Sequence, residues 1–255
     1  MAFITKYETD LTKEQMLYSL KNIPQNLSIP KIHNFSIGNF FVSNKDEGYI
    51  YGKIAVKRSF DDFLFSIDDE FEIDKKPNEA YLYDEVTFII FPDLKIISFA
   101  SKDKAKLFGI EILRKVLFGD SGKIGFVLFN PQKVLEAKQK GKFQNVWFNG
   151  VRFDGKIQYA GQFGSEIDDD TEFDNNPEDR VGIGVEMTCS FGHTLKVAVY
   201  LEGTLLCKTK MKDFKDSLIL SKEIIKNFLP YSNYQERIPD KMTDQLKPLT
   251  DWIQS

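Results

Sequence analysis

The chain holds only two cysteines, two histidines and two tryptophans in 255 residues, and each scarcity removes a class of protein. Cys189 and Cys207 are too few to staple a small secreted scaffold. Both fall in strand-like runs, where buried free thiols in a reducing cytoplasm are expected, with a strand-to-strand disulfide as the alternative. With only His33 and His193 there is no metal centre built on several imidazoles, and His193 is expected to face solvent in a hairpin turn. Long apolar runs are also missing, because charges interrupt every one within ten residues. The opening MAFITKYETD lacks a basic stretch followed by an apolar one, so neither a membrane span nor a secretory signal is predicted, and the expected location is cytoplasmic.

Catalytic signatures are equally sparse. Gly119-Asp120-Ser121-Gly122-Lys123 is not a phosphate-binding loop, since Leu117 stands where its first glycine belongs and Ile124 replaces the hydroxyl that would hold magnesium. The sequence has no G-x-S-x-G elbow and no dinucleotide fingerprint. Pro92-Asp93 invites comparison with a nuclease carboxylate, but no acid-x-Lys strand follows, and a turn is the expected role.

What the chain does have is internal similarity. SIDDEFEIDKKPNEAYLYDEVTF from Ser66 and EIDDDTEFDNNPEDRVGIGVEMT from Glu166 align at a spacing of 100. Ile67, Asp68, Asp69, Glu72, Asp74 and Pro77 recur as Ile167, Asp168, Asp169, Glu172, Asp174 and Pro177. Six ordered identities in eleven positions point to an internal duplication. Downstream, EVTFIIFPDLKIISFAS and GVEMTCSFGHTLKVAVYLEG both read as hairpins, around Pro92-Asp93 and Gly192. Each half then closes with a helix, over 102–118 and 212–229, the second after an insertion at Gly203 to Met211. Each half also opens with one, over 12–22 and 131–140, with Pro131 suited to a first turn.

The fold class expected is therefore α+β, with internally duplicated helix-four strands-helix units related by a pseudo-twofold axis. The expected boundaries are 1–122 for the first repeat, 123–230 for the second and 231–255 for a C-terminal tail, in which Trp252 and Ile253 suggest docking. This element order resembles the saddle of the TATA-binding protein, and the resemblance implies a sheet that binds DNA. The 23 phenylalanines fall largely in strand and helix runs and should build the core. Tyr49, Tyr51, Trp147 and Phe148 could instead offer stacking surfaces to bases.

Net charge is −4, but it is partitioned. Asp61 to Glu79 carries eight acids and two lysines, and Glu166 to Asp179 carries eight acids and no base, so the rest of the chain is +10. Bases concentrate in and after the helices: Lys102, Lys104, Lys106, Arg114, Lys115, Lys138, Lys140 and Lys142 in one tract, Lys208, Lys210, Lys212 and Lys215 in another. Lys215, Lys222 and Lys226 recur at helical spacing. Such faces attract phosphates irrespective of base sequence. The acidic loops offer hard oxygen ligands for Mg or Ca through Asp68, Asp69, Glu72, Asp74, Asp168, Asp169, Glu172 and Asp174, although they lack the glycine and final glutamate of a helix-loop-helix calcium site.

Three readings follow. The first is a non-enzymatic intracellular binding protein that contacts DNA, RNA or a nucleoprotein assembly through basic helix faces, with no cofactor expected. The second is a divalent-metal-dependent nuclease or phosphoryl-transfer enzyme that uses the repeated carboxylates. The third is a protein-protein adaptor whose acidic loops and tail meet a protein partner through complementary charge.

Overall fold

A computed structural model describes residues 2–23, 35–45, 48–67, 73–100, 103–119, 123–153, 156–160, 180–209 and 214–235. Helix and strand are mixed. The elements are β1 (Ala2–Glu8), α1 (Lys13–Lys21), β2 (Phe35–Lys45), β3 (Tyr49–Ile67), β4 (Ile73–Phe91), β5 (Ile96–Phe99), α2 (Asp103–Phe118), β6 (Lys123–Phe129), α3 (Pro131–Gln139), β7 (Val146–Phe153), β8 (Lys156–Ala160), β9 (Arg180–Thr188), β10 (Thr194–Tyr200), β11 (Thr204–Cys207), α4 (Phe214–Phe228) and β12 (Ser232–Gln235).

Local chemistry accounts for the helix ends. Thr12 accepts from the Gln15 N–H at 3.3 Å while Gln15 Oε1 accepts from the Thr12 N–H at 2.8 Å, a reciprocal capping box that starts α1. Loss of such a cap costs on the order of 1 kcal/mol. Asn130 caps α3 by accepting from the Lys133 N–H at 3.1 Å, and Pro131, which has no N–H to satisfy, fills the first helical position.

The chain forms two compact units. The first contains residues 2–7, 93–98 and the described part of 124–235. Its strands run β5-β1-β11-β10-β9-β7-β8, with β6 pairing β1 and β12. The ladders β1–β11, β11–β10, β10–β9, β9–β7, β7–β8 and β6–β12 are antiparallel. Helix α3 packs on β9. Ile183, Val185, Val197, Val199, Leu218, Ile225 and Phe228 are buried in this unit's core.

The second unit contains residues 8–92 and 99–123 among those described. Here β2, β3 and β4 pair antiparallel in that order, and α2 packs on β4 while α1 meets β2 and α2. Gly109 lets α2 approach closely, because a Cβ there would sit 2.5 Å from Val86 Cγ1. The buried side of α2 runs through Ile110, Ile112, Leu113 and Leu117, with Val116 half-buried.

Several expectations need correcting. A strand precedes the first helix in each half, β1 before α1 and β6 before α3, so the order is not helix-four strands-helix and departs from the saddle it resembled. The insertion at 203–211 supplies β11, a fifth strand among the described residues between α3 and α4. Much of the acidic segment 61–79 is strand rather than loop: Asp61 pairs with Glu79, Asp62 with Asn78, Phe63 with Pro77 and Ser66 with Asp74 in the β3–β4 ladder. Apolar residues at 63, 65 and 67 keep the period of two that marks a strand beside the acids. The expected tail at 231–255 begins with β12, which zips onto β6 from Ser232↔Phe129 to Gln235↔Phe126.

Candidate nucleic-acid interface

Helix α3 turns Pro131, Val134, Leu135 and Ala137 inward and leaves Lys133, Glu136 and Lys140 exposed. Its end is built with care. The Lys142 N–H donates to the Ala137 carbonyl at 2.9 Å and the Gly141 N–H to the Lys138 carbonyl at 2.8 Å. With Gly141 at φ 77°, this is a Schellman motif, in which glycine enters the left-handed region without the steric cost of a Cβ. Phe143 then anchors the turn: its ring stacks on Phe228 at 5.0 Å and 7°, and meets Tyr231 edge-on at 5.8 Å. The exposed Lys140 and Lys142 therefore stand on a fixed backbone. Lys133 and Lys140 lie seven residues apart, two helical turns and roughly 10 Å along one face. Glu136 lies on that face between them, so residues 131–142 carry four lysines against one acid.

The other basic residues are less available or lie elsewhere. Arg114 on α2 is engaged by Glu111, through Nη2 at 2.9 Å and Nε at 3.2 Å, and Lys115 beside it is half-buried. Lys104 and Lys106 fall in the first turns of α2, in the second unit, whereas α3 and α4 belong to the first. Lys138 is half-buried, Lys208 is exposed just beyond β11, and Lys215 is the second residue of α4. Lys102, Lys210 and Lys212 lie outside the described residues. On α4, Lys222 Nζ sits 2.8 Å from Asp93 Oδ2, and Lys226 is exposed. Asp93 occupies the 3-10 turn Pro92–Leu94 and is 54% exposed there, the geometry of a turn with a surface ion pair.

Of the proposed metal ligands, Asp74 is placed on β4 opposite Ser66, and Asp68, Asp69, Glu72, Asp168, Asp169, Glu172 and Asp174 lie outside the described residues. Among the described residues no group of three or more His, Cys, Asp or Glu is arranged to hold a metal ion. His193 is exposed in the β9–β10 turn, as expected, and its carbonyl accepts from the Cys189 N–H at 2.9 Å. Cys189 and Cys207 are both free thiols; Cys189 is buried and Cys207 only half-buried. Burial raises the Cys207 thiol above its ordinary value against the opposing pull of hydrogen bonding at Thr209.

Of the strand aromatics, Tyr49 and Trp147 serve the core, and Tyr51 and Phe148 are half-buried. Trp147 is buried, with its indole N–H donating to the Val185 carbonyl at 3.2 Å. Phe148 lies 5.6 Å from the Tyr200 ring, and Trp147, Phe148 and Tyr200 close over Gly182 and Gly184. A buried polar knot also joins three elements: Arg180 donates to Asn149 Oδ1 at 2.6 Å and to Gln132 Oε1 at 3.2 Å, tying β9 to β7 and α3. Nothing in the local sequence pattern signals that knot. The Schellman turn was not anticipated either, although glycine in Lys-Gly-Lys-Phe at the end of a helical run is a signal for it.

Known protein families and curated proteins were both compared with this chain, and neither comparison finds a match. Among the described residues, no helix is long and apolar enough to cross a membrane.

Proposed function

We propose that this protein is a non-enzymatic binding protein that contacts nucleic acid or a nucleoprotein assembly through basic helix surfaces, and that its chain arose by duplication of one strand-helix-strands-helix unit. The observation that carries the binding reading is the rigid turn at the end of α3, which presents Lys140 and Lys142 to solvent with Lys133 two turns away. Fixing these positions through backbone bonds and the Phe143 anchor lowers the entropy lost when their charges meet phosphates. Lys104, Lys106, Lys208 and Lys215 are further contributors under this reading. The duplication is supported by the aligned sequence segments and by the recurrence of strand, helix, strands and helix in each half.

The test is the salt dependence of binding to a labelled duplex. Each lysine–phosphate contact contributes about 0.9 to the slope of log K against log salt. Lys140→Glu with Lys142→Glu should then flatten the slope by about 1.8. Both side chains are exposed, so the variant should keep its thermal unfolding midpoint. Failure of the intact chain to bind at low salt, or an unchanged slope in the variant, would overturn the proposal.

A further inference from the structure

Resting on that reading, we infer that the ligand is double-stranded and is held through its phosphates without readout of base edges. The first reason is where the aromatic rings are. Single strands are held on stacking platforms, in which bases lie on aromatic side chains beside a basic groove. None of the described strand rings that could have supplied platforms is fully exposed, Tyr51, Phe148 and Tyr200 being half-buried, and the exposed rings Tyr18 and Phe191 lie on α1 and in the β9–β10 turn rather than on α3 or its closing turn. Trp147 is 6% exposed and pinned to the Val185 carbonyl, Tyr49 is 5% exposed, and Phe148 and Tyr200 face one another across Gly182. Phe143, next to the basic turn, is buried in its stack with Phe228.

The second reason is the fate of the groups that read sequence. Base edges are recognised by the fork of arginine and the amides of asparagine and glutamine. Around the α3 turn several of these are engaged within the protein, and Gln139 is an exposed amide that is not given a partner by that packing. The Gln144 amide donates to Thr188 Oγ1 at 2.9 Å, the Asn145 amide to Glu186 Oε2 at 3.3 Å, and Arg180 is bound to Asn149 and Gln132. The exposed basic residues of that surface are Lys133, Lys140 and Lys142 with no arginine among them, and lysine is a flexible point charge suited to a phosphate and poorly suited to discriminating bases. The backbone that carries these lysines is fixed by the turn, so they present charge on one side of this unit, and a duplex presents one charge per 1.7 Å of axis to meet it.

Fluorescence anisotropy with the full chain tests this. The probes are two DNA duplexes of equal length and different base composition, their separated strands, and an RNA duplex. The expected result is binding of the two DNA duplexes within about threefold of each other, and of each single strand at least about tenfold more weakly. Gln139→Ala, which removes an exposed amide on the same turn, should leave both ratios unchanged, while Lys140→Glu with Lys142→Glu should weaken all duplexes alike. Tighter binding of single strands, or a preference beyond about a hundredfold for one duplex sequence, would overturn the inference and leave the nucleic-acid reading standing. Absence of binding to every probe at low salt would overturn both.

Discussion

Replacing Gly184 by alanine should destabilise the protein, against the usual sign. In a strand interior, glycine normally costs roughly 0.5–1 kcal/mol relative to alanine, because it surrenders more backbone freedom on folding. Gly184 is buried in the middle of β9, paired with Phe148 on one side and Ala198 on the other. A Cβ there would lie 2.7 Å from Phe148 Cβ and 2.7 Å from Trp147 Cε2. Neither neighbour yields easily. The first contact is to an atom bonded directly to the backbone, and the indole is held by its hydrogen bond to Val185. Overpacking of this kind costs about 1–3 kcal/mol, which outweighs the entropic gain. For a chain of this length each kcal/mol lowers the midpoint by roughly 2–4 °C. Thermal unfolding followed by circular dichroism, with near-ultraviolet signal reporting the Trp147 environment, measures the loss. In a Phe148→Gly background, where the Cβ that the new methyl meets is gone, Gly184→Ala should cost less than in the parent, since the two changes share one contact. A midpoint for Gly184→Ala equal to or above that of the parent would refute the steric argument.

Other substitutions probe different links. Gly141→Ala meets no atom within 4 Å but forces alanine to φ 77°, so a loss of about 1 kcal/mol is expected in urea unfolding, from backbone strain alone. Gly125→Val should unzip β12 from β6, because a Cβ at this position runs into the Tyr234 ring and lies 2.6 Å from the Gln235 carbonyl. Faster amide exchange at 126–129 would report it. Burial, and secondarily the charge of Asp93, push the Tyr7 hydroxyl up to about 12 from 10.0. Since the folded state favours the protonated phenol, this contribution to stability is full below pH 10.0 and is lost as pH rises from there through about 12. Tyr7→Phe should flatten the decline in unfolding free energy across that window.

The helices were legible in the sequence because their signals are local. Thr12 with Gln15, Asn130 with Pro131, and glycine after a lysine-rich last turn each act within four residues, so the string alone places α1 and α3 to within a residue or two. The β9–β10 hairpin was legible for the same reason, through Gly192 at φ 76° between two apolar runs. The closing helix expected over 212–229 was legible too, because Leu218, Ile225 and Phe228, all buried in α4, recur at helical spacing. Clustering of lysines was also visible from the string.

Which lysines stand ready was not, because that depends on neighbours distant in sequence or on the packing of the turn. Lys222 is taken by Asp93 from another part of the chain, whereas Lys140 and Lys142 are held outward by a turn anchored on Phe228. The strands that begin each half were equally hidden. Ala2 pairs with Leu205 and Phe129 with Ser232, and a short strand's partner at such separation is chosen by the register of the whole sheet rather than by any pattern in the strand itself. The grouping of residues 2–7 and 93–98 with the described part of 124–235 follows from the same long-range pairing. So does the packing of buried Trp147 and half-buried Phe148 and Tyr200, since only assembly of β7, β9 and β10 brings their rings over Gly182 and Gly184. Composition and periodicity fixed which segments would bury apolar surface; tertiary pairing decided against what, and thereby which charges were left facing water.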